Sequence, residues 1–344
     1  MNTAELIAAI QGYEGKPLTL MEVCGTHTAA ISESGIPSLL PASIRLISGP
    51  GCPVCVTVSA YIDRLIELAT TENTCVVTFG DLLRVKGSRG DLRSTIGARV
   101  QMVYTPFQAL DLAQQEPHTT FVFAAVGFET TAPIYALLVE EILRRGIENL
   151  KLLTALKTMP AAIRALTQGD TPIDGFIAPG HVATVTGSDL FAALAVEIQK
   201  PFAVAGFTPP SLLAAIFWLT KSAGEGKCAN FYPSAVTREG NGEAMARVNR
   251  YFAPADAAWR GLGVIENSGL CLREEFARLD AGSKTLAEDK LPSGCHCGKV
   301  IAGAIAPSEC PLFGKVCTPE TPVGACMVSM EGACYHHYIN ERQF

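Results

Sequence analysis

Short apolar runs recur along the chain, each closing on a turn that contains Gly, Pro or Cys and each followed by a stretch with helical spacing. The runs cover residues 18–23, 44–48, 74–79, 101–104, 120–126, 151–156, 173–178 and 202–205. They are rich in β-branched and aromatic residues and nearly continuous in apolarity. That pattern fits strands buried on both faces of a parallel sheet better than half-exposed antiparallel ones. Helical spacing fills residues 58–69, 133–145, 190–199 and 210–222. Strand and helix alternating in this way predict α/β architecture. A chain of 344 residues is too long for one typical core. The expected fold is therefore two α/β lobes, with mainly parallel sheets, facing a cleft. Residues 1–148 form the first lobe and carry the thiol motifs. Residues 149–240 form the second. Residues 241–344 are a cysteine-rich C-terminal region, helical over 243–252 and irregular from Trp259.

Composition narrows the classes. Hydrophobic residues make up 48% and charged residues 17%, which supplies packed cores and argues against extended disorder. A net charge of −6 lacks the basic face that nucleic acid demands. The N-terminus shows no basic segment followed by a small-residue cleavage site. No apolar run reaches the roughly 18 residues of a membrane span. The expectation is a cytoplasmic protein with no membrane and no nucleic-acid partner. Twelve cysteines, seven of them beyond residue 270, then point to metal or redox chemistry in a reducing compartment rather than to a disulfide framework.

The unusual residues stand at strand ends: CGTHT after the first run, GPGCPVC after the second, FGD after the third, GFETTAP after the fifth and APGH after the seventh. Open α/β sheets place ligands beyond the carboxyl ends of their strands, so these turns predict one shared cleft. Cys24 with His27 reads either as a soft-metal or nucleophile pair or as structural packing. Cys52 and Cys55 form a CxxC motif expected to open a helix near Thr57, which favours a redox pair; half of a metal site completed by Cys24 and His27 is the other reading. Glu129, His181 and Asp81 would line the same cleft as proton relays or as strand-end caps. No P-loop and no strand-linked GxGxxG is present, so no nucleotide site is expected.

Near the C-terminus, Cys295, Cys310, Cys317 and Cys334 are separated by 14, 6 and 16 residues rich in Gly and Pro. Four thiolates from loops can hold an iron–sulfur cluster. The spacing alone also admits a structural zinc using His296 or Cys297, or simply buried thiols. Cys297 and Cys326 read as small buried hydrophobes. Two functional classes follow from the residues alone: a self-contained iron–sulfur and dithiol oxidoreductase, and a zinc-stabilised binding module.

Eight motifs in order resemble the HypD family of [NiFe]-hydrogenase maturation proteins: CGTHT at 24–28, GPGCPVCV at 49–56, TFGDLLRV at 78–85, VGFETTAP at 126–133, APGHVATVTG at 178–187, WRGLGVIENSG at 259–269, CPLFGKVCTP at 310–319 and MVSMEGAC at 327–334. The resemblance implies a scaffold and redox protein that assembles an Fe(CN)2(CO) unit together with a small HypC-like partner and receives cyanide from a HypE-like donor. It implies that Cys24 binds the assembly iron, that Cys52 and Cys55 are redox-active, and that Cys295, Cys310, Cys317 and Cys334 hold a [4Fe–4S] cluster. Some family members carry a second histidine where this chain has Ala29, so no role of that imidazole is carried over.

Overall fold

The computed structural model describes residues 1–168 and 172–341. Among them, eleven strands form two sheets: β1 (Leu18–Glu22), β2 (Ile44–Ser48), β3 (Thr74–Thr78), β4 (Val100–Met102), β5 (Thr120–Gly127), β6 (Leu150–Lys157), β7 (Gly175–Pro179), β8 (Phe202–Ala205), β9 (Cys228–Phe231), β10 (Phe252–Trp259) and β11 (Gly263–Leu272). The first sheet has the order β2-β1-β7-β8-β9 and is parallel throughout. The second has the order β10-β11-β6-β5-β3-β4; β6, β5, β3 and β4 are parallel, and β11 and β10 are antiparallel additions. The fold is α/β with two mainly parallel sheets, as the apolar runs predict. β3 and β8 are buried along their whole length, which is why their sequences read as unbroken apolar runs.

The pairing order interleaves the sheets. The chain builds β1 and β2, leaves to build β3 to β6, returns for β7 to β9, and leaves again for β10 and β11. Residue 148 lies between the helix Ala132–Arg145 and β6, and β6 is bonded to β5 along seven residue pairs. A division at that point separates neighbours within one sheet. Apolar periodicity marks where strands lie but not which strands pair.

Two features of the C-terminal half differ from expectation. β9 is a half-buried edge strand whose sequence, CANF, has no β-branched signal. The tail after Trp259 was expected to be irregular, yet β11 runs for ten residues between β10 and β6. Its sequence, GVIENSGLCL, lacks a continuous apolar run and includes Asn267 at φ 51. The strand is imposed by neighbours on both sides, a tertiary effect that local preference does not carry.

Helices pack on both sheets, and the largest apolar core extends from the second sheet through the 52–58 segment into the cysteine-rich region. Tyr61, on the helix Ser59–Thr70, is buried in that core and donates its hydroxyl to the carbonyl of Leu153 at 2.8 Å. Tyr61→Phe is expected to cost about 1 kcal/mol, rising toward 2 if the carbonyl finds no other donor, read as the shift in urea midpoint. No single described helix is long and apolar enough to cross a membrane.

Candidate metal and thiol site

β1 is an interior strand of its sheet, between β2 and β7, and the first motif follows at its carboxyl end. Cys24 occupies the N-cap position of the helix Gly25–Glu33 with extended backbone. Glu22, buried beneath it, accepts from the Cys24 amide at 2.9 Å and from the Thr28 hydroxyl at 2.5 Å. Burial pushes the Glu22 carboxyl up to about 7. Burial also pushes the Cys24 thiol up to about 12; the amides of His27 and Thr26 oppose that rise, and the carboxylates of Glu22 and Glu331 add to it. Cys24 therefore rests as a thiol, and a soft metal that binds there must displace its proton.

The second motif meets the first directly. The Gly25 amide donates to Gly51 at 2.9 Å, and a methyl group on Gly51 would collide with the backbone of Cys24. Only glycine permits this approach. Next to Gly51, Cys52 and Cys55 form a buried disulfide with Cα atoms 5.3 Å apart. The Cys55 amide lies 3.2 Å from the Cys52 sulfur. The expected helix start near Thr57 is displaced: residues 53–56 form turns, and the helix begins at Ser59. The helix dipole fades beyond its terminal turn, so the pair depends on local amides instead.

The outer wall comes from the other end of the chain. Glu331 accepts from the Thr26 hydroxyl at 3.0 Å, and its side chain fills the space above Gly25. Burial raises the Glu331 carboxyl, and Asp81 adds to that rise. Glu331 sits inside the MVSMEGAC motif, so the signal was present, but nothing in the sequence says that it folds back onto Cys24.

The remaining expected residues divide. His27 is fully buried, with Nε2 at 3.1 and 3.2 Å from the carbonyl oxygens of Ala205 and Gly206. These contacts place the proton on Nε2 and leave Nδ1 with no hydrogen-bond partner among the described residues. Burial lowers the ring to about 4, so it is neutral. His181 stacks on Phe207 at 3.9 Å, and the same phenyl ring packs on His27 at 4.7 Å. His181 thus reaches His27 through a phenyl ring rather than by a hydrogen bond. Glu129 binds a different element. Its Oε1 accepts from the Met159 amide at 2.8 Å, at the start of the helix Met159–Thr167, while Oε2 is buried without a partner among the described residues. Its cap thus serves the helix that follows β6, not the one that follows its own motif.

Burial raises the Glu129 carboxyl to about 7. A carboxyl raised on folding holds its proton more tightly in the native state, so its contribution falls as pH climbs from the unfolded value near 4.5 through 7. The loss amounts to about 3 kcal/mol. Glu129→Gln is expected to flatten that part of the profile, measured by urea unfolding at pH 5 and pH 8. An unchanged slope would show that the proton is held elsewhere.

The C-terminal cysteines do converge. Cys295, Cys310, Cys317 and Cys334 line one small pocket with Leu312, Phe313 and Met327 as apolar wall. Cys297 and Cys326, expected to be mere packing residues, line it too. The Cys297 thiol donates to Cys295 and holds it below the usual thiol range. The Val323 amide donates to the Cys317 sulfur at 3.3 Å, and a Cβ on Gly324 would stand 2.9 Å from the Cys295 sulfur. The disulfide adjoins this region, with the Cys55 sulfur 4.0 Å from the carbonyl of Ala325, the residue before Cys326. Among the described residues, no three His, Cys, Asp or Glu donors converge on a single point.

Fold and site together define an α/β protein with a buried cysteine and a disulfide at the carboxyl edges of its sheets and a polythiol pocket beside them. The HypD profile, described as the hydrogenase formation hypA family, matches residues 2–341, and the chain belongs to this family of hydrogenase maturation factors. It is similar to hydrogenase maturation factor HypD of Azotobacter vinelandii, at 42% identity over 99% of this chain and 95% of that one. It is also similar to HypD of Escherichia coli K12, at 40% identity over 95% and 90%. An archaeal relative, the putative hydrogenase expression/formation protein of Methanocaldococcus jannaschii, is 40% identical over 94% and 92%.

Proposed function

We propose that this chain is the scaffold on which an iron ion receives cyanide and carbonyl ligands for the [NiFe]-hydrogenase centre. The observation that carries the reading is the physical succession from Cys24 through Gly51 to the Cys52–Cys55 disulfide and on to the polythiol pocket. Cys24 holds the incoming iron, with a second thiolate from a HypC-like partner, and a HypE-like partner delivers cyanide. Thiolates suit an iron that also carries such ligands. Binding releases the Cys24 proton, and neutral His27 and the nearby carboxylates bound the space in which this happens. The setting is the reducing cytoplasm.

The pocket fits a [4Fe–4S] group. Its donor set is the chemistry such a group takes: four cysteines around an apolar wall. Cys295, Cys310, Cys317 and Cys334 would hold the group, which when bound supplies single electrons. The Val323 amide and the bare Cα of Gly324 leave room at its sulfurs. On the protein side, the Cys52–Cys55 disulfide takes two electrons and two protons to become a dithiol. Anaerobic purification followed by metal analysis tests the assignment. Iron in excess of zinc, with brown visible absorbance, is expected; a colourless protein with zinc alone would refute it.

A further inference from the structure

Arg260 follows the buried Trp259 and is itself fully buried. Its amide donates to the carbonyl of Val56 at 2.8 Å, its Nε to Thr57 at 2.5 Å and its Nη2 to Lys86 at 3.1 Å. Two of those carbonyls belong to the residues directly after Cys55. Nη1 is buried with no hydrogen-bond partner among the described residues, and no described carboxylate lies within ion-pair distance. Asp289, which lies close by, accepts from the amides of Ser59 and Gly261 instead. A buried guanidinium without a counter-charge is unfavourable, so a negative charge is expected within reach.

The backbone places this segment against the wall of the polythiol pocket. Gly261 packs against Gly298 so closely that a Cβ on Gly261 would strike the Gly298 backbone, and one on Gly298 would stand 2.7 Å from the Gly261 carbonyl. Gly298 is the residue after Cys297, which lines the polythiol pocket. The segment 259–261 is thus wedged between the disulfide turn and the pocket wall.

We propose that Arg260 is a positioning residue that supplies the fixed buried cation of the polythiol pocket, making the group held there easier to reduce while the same side chain anchors the turn after the Cys52–Cys55 disulfide. The inference rests on the reading of the pocket as an iron–sulfur site. Net charge and hydrogen bonds near the sulfurs set the reduction potentials of such sites. A permanent positive charge in a poorly screened interior stabilises the more negative, reduced state. Arginine suits this role because it stays protonated when buried.

The test is a redox titration of the full chain, purified anaerobically, followed by electron paramagnetic resonance. In Arg260→Gln, the ratio of reduced to oxidised cluster at a fixed potential is expected to fall at least tenfold, about 59 mV for one electron. In Arg260→Lys, which keeps the charge, it is expected to stay within about threefold of the parent, about 28 mV. An unmoved midpoint in Arg260→Gln overturns the proposal. So does an equal fall in both variants, which would make the effect one of packing. If Arg260→Gln does not fold, Arg260→Lys decides alone: a preserved midpoint supports the fixed charge and a tenfold fall refutes it. A parent chain with no iron–sulfur signal refutes the cluster reading itself, and the role of Arg260 falls with it; a normal parent signal with an unmoved variant refutes only the latter.

Discussion

On the proposed reading, Cys24→Ala is expected to abolish the cyanide stretching bands in the infrared spectrum of the chain purified with the proposed HypC-like partner, while the visible absorbance of the proposed C-terminal cluster persists. The two outcomes separate because the sites use different sulfurs. Cys24 is small and buried, and its backbone is held by Glu22 and by contact with Gly51, neither of which needs the thiol. The variant should fold, keep its pocket of cysteines and lose only the ligand to the incoming iron. Cys24→Ser should fail almost as completely, because a hydroxyl is a hard donor and a poor substitute for thiolate on such an iron. Infrared bands that survive at full intensity in Cys24→Ala would remove this residue from the site.

Trp259→Ala is expected to cost about 3–5 kcal/mol of stability, among the largest effects of any single truncation in this fold. The indole is fully buried, stacks on Phe128 with ring centres 5.9 Å apart, and donates to the Ser268 hydroxyl at 2.8 Å. The ammonium of Lys157 stands 5.6 Å from its ring centre. Lys157 is itself buried, and that burial lowers its ammonium to about 8, partly offset by Asp289. Removing the ring leaves a cavity and takes an aromatic face away from a buried cation. Urea unfolding at pH 7 should show a large fall in midpoint. Trp259→Phe should recover much of it, since a ring can still meet Phe128 while the hydrogen bond to Ser268 and part of the buried ring volume are lost. A fall below about 1 kcal/mol in the alanine variant would mean that the surrounding core collapses onto the gap.

How much of this was legible in the sequence follows from what local pattern can carry. Eight apolar runs became strands within about two residues of their expected ends; most are buried on both faces, which leaves a clear apolar signature, and the edge strands β2 and β4 were short enough runs to be marked as well. β9, β10 and β11 escaped because edge and half-exposed strands owe their form to neighbours. The strand-end motifs correctly brought Cys24 and the CxxC turn together, since side chains at the carboxyl edge of one sheet have few places to go. Glu331 and Arg260 were missed as site residues for the opposite reason: each arrives from a distant segment by long-range packing. Cys297 and Cys326 were undervalued because spacing cannot tell a thiol that lines a pocket from one that fills a core. Glu129 stands at its strand end as expected, but it accepts from the Met159 amide of another helix.

The interleaving of the two sheets also has a consequence during synthesis. Leu20 on β1 finds its partner Gly175 on β7 only after 155 further residues have been made. At about 5–20 residues per second, that is a wait on the order of ten seconds. Through that interval β1 and β2 can amount to no more than a two-stranded ribbon, which is marginal in water by itself. The parallel strands β3 to β6 emerge as one contiguous stretch and can form their part of the second sheet meanwhile. The nascent chain therefore carries the half of its thiol chemistry nearest the N-terminus, Cys24 and the Cys52–Cys55 pair, in an open segment until β7 arrives. Ribosome-associated chaperones and cellular thiols meet these cysteines before the finished fold encloses them.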